Sequence, residues 1–140
     1  MDSSELYRIK QLFFLGAYKS VISAELPDVS APDYTPTLLY KVRSLLALGE
    51  PKSALKLIPA DTENVALKAA TALCNYIDTE EESALEAMRD VIAEIEGDDG
   101  EGTARDKAVV RVLAGTAFAR AGEVEEALDS LGNESEDLEA

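Results

Sequence analysis

Carboxylates dominate the chemistry this chain could offer: it carries 28 aspartates and glutamates against 13 lysines and arginines, and it has no histidine. The densest acid groupings are Glu80-Glu81-Glu82 and Asp98-Asp99 with Glu101. General acid–base work needs one carboxyl whose pKa is raised by an apolar pocket. Both runs fall instead in polar turns between apolar segments, where every member stays ionised, so they read as solvated charge. Asp98-Asp99-Gly100-Glu101 has too few oxygen ligands, at the wrong spacing, for a calcium loop. Cys74 lies alone in an apolar helical pattern with no histidine to activate it, and reads as a small buried hydrophobe. No glycine-rich phosphate loop and no nucleophile motif occurs. The chain is expected to be no enzyme, and neither a cofactor nor a metal site is expected.

The formal net charge is −15, and it is unevenly placed. Residues 1–77 hold eight acids and eight bases, whereas residues 78–140 hold twenty acids and five bases. Such a surface repels phosphate backbones and anionic lipid, which argues against nucleic-acid or direct membrane partners. The longest greasy stretch, Leu12 to Tyr18, stops at Lys19, far short of the roughly 20 residues of a membrane span. Asp2 and Glu5 stand where a secretory leader needs a basic segment. A reducing cytosolic home follows as the expectation. Asn133-Glu134-Ser135 fits the glycosylation acceptor pattern, which has no meaning there.

Apolar residues recur at helical spacing nearly throughout, and no stretch alternates as a half-buried strand does. The expected fold is all-α. Breakers at Gly16, Pro27 to Pro36, Gly49-Glu50-Pro51, Pro59-Ala60-Asp61, Asp78 to Glu82, Gly97 to Gly102, Gly122 and Gly132 divide the chain into eight helices of roughly 9–16 residues. Ser3, Asp61, Thr79 and Thr103 stand where N-caps are wanted, and Pro51 suits a first helical turn.

Three of the turns share a template. Gly16-Ala17-Tyr18-Lys19-Ser20-Val21-Ile22, Gly49-Glu50-Pro51-Lys52-Ser53-Ala54-Leu55 and Gly122-Glu123-Val124-Glu125-Glu126-Ala127-Leu128 each run from glycine to a small-then-aliphatic pair, and Ser83-Ala84-Leu85 keeps that pair without the glycine. The small positions Val21, Ala54, Ala84 and Ala127 are 33, 30 and 43 residues apart. That brackets the tetratricopeptide period of about 34 residues. A small residue early in the second helix of each pair lets it approach the first closely, and Gly115 and Phe118 supply the small and aromatic positions of the fourth first-helix. The expected architecture is a tetratricopeptide-like α-solenoid of about four helix-turn-helix repeats over residues 1–131. Residues 132–140 form an acidic tail or the start of a truncated fifth repeat.

In such a solenoid the first helix of each pair lines the concave side. Fixed offsets from the turns place Leu6, Lys10 and Phe13 there from the first unit, and Leu39, Arg43 and Leu46 from the second. The third unit contributes Ala69, Leu73 and Tyr76, and the fourth contributes Val112, Thr116 and Ala119. The lining is apolar, with only Lys10 and Arg43 basic, so it suits an apolar segment of another protein better than a clamped peptide carboxylate. A peptide-capturing adaptor or cochaperone is the alternative, as is an assembly factor whose acidic half shields basic partners. An uncapped last repeat would expose Leu128 and Leu131 and invite self-association.

The segment Glu5-Leu6-Tyr7-Arg8-Ile9-Lys10-Gln11-Leu12-Phe13-Phe14-Leu15-Gly16-Ala17-Tyr18 resembles the opening of the epsilon subunits of coatomer. Arg43-Ser44-Leu45-Leu46-Ala47-Leu48-Gly49, Ala66-Leu67-Lys68-Ala69, Glu125-Glu126-Ala127-Leu128 and Asp137-Leu138 resemble its later repeats in order. The resemblance implies a non-catalytic subunit of the COPI vesicle coat, cytoplasmic and peripheral on Golgi membranes and COPI vesicles. It implies binding to the C-terminal domain of the alpha coatomer subunit, indirect contact with other coatomer subunits, and a role in Golgi-to-endoplasmic-reticulum retrograde and intra-Golgi transport. Coatomer epsilon chains are about twice this long, so the resemblance also implies an N-terminal part or a shortened member.

Overall fold

The structure, a computed structural model, describes residues 3–96 and 102–132. All regular structure among these residues is helical: α1 Ser4–Phe14, α2 Tyr18–Ser23, α3 Tyr34–Ala47, α4 Pro51–Leu57, α5 Val65–Thr79, α6 Glu82–Ile95, α7 Ala104–Ala121 and α8 Val124–Gly132. The fold is all-α and tetratricopeptide-like. Each odd-numbered helix packs on the even-numbered one that follows, and the chain groups into two compact units, residues 1–60 and 61–140. Within the first unit α1 also packs on α3, and within the second α5 packs on α7. The acidic stretch 97–101 and the segment 133–140, with Asn133-Glu134-Ser135, lie outside the described residues.

The turns follow the template. Gly16, Gly49 and Gly122 take left-handed φ angles of 80°, 78° and 81°, a region glycine enters without the Cβ penalty of other residues. The second residue after each begins the next helix. Glu80, with φ of 58°, takes the same left-handed position where glycine is missing. The backbone requirement therefore persists although the sequence signal does not. Val21, Ala54, Ala84 and Ala127 are all buried, as the close approach of paired helices demands. Gly115 serves the same purpose from the other side: a Cβ there would lie 2.6 Å from Cγ of Leu131 on α8.

Helix ends depart from expectation at identifiable places. Ser3 and Thr103 cap α1 and α7, their hydroxyls accepting the N–H groups of Leu6 and Asp106 at 3.0 Å each, and Ser3 Oγ also donates to the Asp33 carboxylate. Pro51 opens α4. Asp61 is not a cap; Asn64 takes that role, accepting the Leu67 N–H at 3.1 Å, because the turn uses three further residues before helical geometry begins. Thr79 ends α5 rather than starting α6, and its hydroxyl donates to the Asn75 carbonyl at 3.0 Å. Two helices are shorter than expected. α4 stops after seven residues because Ile58, preceding Pro59, is extended, as a residue before proline must be. The six-residue α2 stops at the extended Ala24, and its loose carbonyls at Ile22 and Ala24 both accept from the buried Lys41 ammonium. Burial lowers the Lys41 pKa from its ordinary value.

In the second unit α6 and α8 are clipped together by Arg89. Its guanidinium donates to both carboxylate oxygens of Glu126 at 2.8 and 2.9 Å and to Glu82 at 2.8 Å, and it lies 5.5 Å above the Phe118 ring. Hydrogen bonding to Arg89 lowers the Glu126 pKa from its ordinary 4.5. A depressed folded carboxyl pKa contributes stability that is complete above the unfolded value and lost as pH falls through the folded one. Arg89→Met, which keeps the stem on Phe118, is expected to cost about 1 kcal/mol at neutral pH. In urea melts that deficit should begin to shrink as pH falls below the unfolded carboxyl value of about 4.3, and close only once pH has dropped through the depressed folded pKa of Glu126.

Candidate partner-binding surface

The exposed surface with the most specific chemistry lies on the first unit, where helices α1, α2 and α3 meet. Leu6 and Ile9 anchor α1 in the core, and the helical repeat then turns Phe13 towards α3. There its ring meets Tyr40 at 5.2 Å between centroids and Tyr18 of α2 at 5.7 Å, with Phe14 completing the cluster at 5.3 Å. Arg43 stands one turn beyond Tyr40 on α3, and its guanidinium carbon lies 4.7 Å from the Phe13 centroid and 5.8 Å from that of Tyr40. Burial draws the Arg43 pKa down, opposed by the Tyr40 and Tyr18 phenols, and the guanidinium stays charged at any working pH. Phe14 and Leu15 leave 66% and 78% of their surface open to solvent. A cation held on aromatic faces beside open apolar surface suits protein recognition; it holds no acid, base or nucleophile poised for catalysis.

Among the residues expected on the concave side, the structure brings Phe13 and Arg43 into contact. Lys10 and Leu46 are partly exposed, whereas Leu6 and Leu39 are buried. In the second unit Ala69, Leu73 and Tyr76 of α5 are buried and serve in packing. On α7, Val112 is partly exposed and Thr116 and Ala119 are exposed, the Thr116 hydroxyl donating back to the Val112 carbonyl at 3.0 Å. Sequence reasoning missed Phe14, Leu15, Tyr18 and Tyr40. The adjacent phenylalanines before Gly16 and the Tyr40/Arg43 pair at one-turn spacing were the available signals.

The second unit has a cleft lined by Ile92, Glu96, Arg111, Phe118, Glu126, Asp129 and Ser130. Glu126 is already held by Arg89, which leaves it no freedom to act as a base. Burial pushes the Cys74 thiol up to about 12, so it is protonated and inert at neutral pH. Glu80, Glu81 and Glu82 are exposed. Among the described residues no group of three or more acid or cysteine side chains is placed to hold a metal ion, and no helix is long and apolar enough to cross a membrane.

A family model for the coatomer epsilon subunit matches residues 2–140. The chain belongs to the coatomer epsilon subunit family. Coatomer subunit epsilon-1 of Arabidopsis thaliana is 28% identical over 129 residues, covering 88% of this chain and 40% of that protein. The chain thus spans about two fifths of the length of this relative. No solved structure matches it. In this coatomer epsilon chain the aromatic block that carries the resemblance, Phe13-Phe14 through Tyr18, is also the block that builds the exposed cluster with Arg43.

Proposed function

We propose that the chain is a non-catalytic scaffold subunit of the COPI coat and binds the C-terminal domain of the alpha coatomer subunit. It works in Golgi-to-endoplasmic-reticulum retrograde and intra-Golgi transport from the cytoplasmic side of Golgi membranes, and meets other coatomer subunits through the alpha subunit. Family membership supports the coat. The observation that carries the binding mode is the open aromatic surface of Phe13, Phe14, Tyr40 and Arg43. Residues 1–131 act as one repeat domain, with residues 132–140 as an acidic tail or the start of a truncated fifth repeat. A peptide-terminus adaptor is a poorer fit, because Arg43 and Lys10 are the only bases among the expected lining residues.

Titration calorimetry of this chain against the isolated alpha domain tests the reading. A Kd of about 1 μM or tighter, kept at high salt and accompanied by a negative heat-capacity change, is the expected result for burial of apolar surface. Absence of heat from well-folded chain overturns it. A second surface is available for self-association: Val124 and Leu128 on α8 are 62% and 63% exposed, with Leu131 one turn further along the same face. Sedimentation velocity over a concentration series reads this directly.

A further inference from the structure

Arg43 lies over two aromatic rings, and its N–H donors are left to be explained. A guanidinium has five N–H donors arranged to grip a carboxylate. The cation–π contacts with Phe13 and Tyr40 offer these donors no carboxylate. Other cations of the chain find anions or carbonyls: Arg8 pairs with Glu5, Lys68 with Glu94, and Arg89 with Glu82, Glu86 and Glu126, while Lys41 donates to the Ile22 and Ala24 carbonyls. Among the described residues Arg43 has no carboxylate partner, in a chain where acids outnumber bases 28 to 13. A partly buried cation has given up water on its ring side and gains more from a charged acceptor than an exposed one does. The open surface of Phe14 and Leu15 continues from the same cluster.

We propose that Arg43 donates to a single aspartate or glutamate of the bound partner, on a segment where that acid adjoins an apolar side chain seated over Phe14 and Leu15. This deepens the coat reading and rests on it. A single acid fits better than an acidic patch, because the net charge of −15 repels a strongly acidic partner at long range. The rings hold the guanidinium in place in advance of binding, so little side-chain freedom is lost when the carboxylate arrives.

The test is calorimetry of the whole chain and its Arg43→Met and Arg43→Glu variants against the alpha domain, at two salt concentrations. Circular dichroism of each variant reports folding. Arg43→Met keeps an apolar stem on the rings and is expected to weaken binding by about tenfold and to remove the small salt dependence that a single desolvated ion pair leaves in otherwise salt-tolerant binding; Arg43→Glu is expected to weaken it by about 100-fold. Binding to Arg43→Glu should return when one acid of the alpha domain is replaced by arginine. Wild-type binding with Arg43→Met unchanged within twofold overturns the inference and leaves the coat reading standing. Failure of the wild-type chain to bind overturns both. If an Arg43 variant unfolds, acid-to-amide replacements across the alpha domain, titrated with the wild-type chain, decide the matter. One position costing about tenfold supports the inference, and no such position overturns it.

Discussion

Replacing Phe118 with alanine is expected to destabilise the second unit by about 3–5 kcal/mol, the range for a large aromatic deleted from a packed core. Phe118 is 1% exposed and is the largest fully buried side chain described in the chain. Its ring lies under the Arg89 guanidinium, so its loss removes both the packing of α7 and the platform on which the α6–α8 clip rests. The effect should therefore exceed that of Arg89→Met, and the two changes should not add. Urea denaturation followed by circular dichroism reads the loss. A cost below about 1 kcal/mol would mean that the site collapses around the deletion and that Arg89 gains nothing from the ring.

Lys41→Met is expected to cost about 2–4 kcal/mol in the first unit. The side chain is 7% exposed, and its ammonium donates to the carbonyls of Ile22 and Ala24. Methionine matches the stem but donates nothing, leaving two carbonyls without that donor; each such loss costs about 1–3 kcal/mol when the group stays buried. The six-residue α2 cannot hold itself together in isolation. Amide exchange resolved by residue should show α2 opening first in the variant, with α5 to α8 unchanged. Equal acceleration across all helices would show that Lys41 supports the whole chain and not this one hairpin.

The repeat was legible because its signals are local. Gly16, Gly49 and Gly122 mark turns whose torsions few other residues accept, and Val21, Ala54 and Ala127 follow each at one spacing. Glu80 escaped that search because a left-handed torsion can be imposed on a non-glycine residue by the helices on either side. The lining residues were legible only in part. Helical offsets fix the direction of a side chain, but whether a neighbouring helix covers it depends on distant sequence. Leu6 and Lys10 share a stripe of α1, yet one is buried and the other partly open. The aromatic cluster is non-local in the same sense, since Phe13 and Tyr40 belong to different helical pairs and no window along the chain contains both. Nothing in the sequence marks Lys41, because its acceptors are backbone carbonyls, which carry no residue-type signal.

The turn glycines carry a constraint on how this family can vary. At Gly16, Gly49 and Gly122 nothing lies within 4 Å of the point where a Cβ would be built. What excludes other residues there is handedness alone, since the space is open. Drift at these turns can therefore pass through asparagine or aspartate, which tolerate the left-handed region, whereas Gly115, hemmed by Leu131, has no such route. Two kinds of glycine in one chain, alike to a reader of its sequence, are held by unrelated forces, and distant relatives should lose the first kind long before the second.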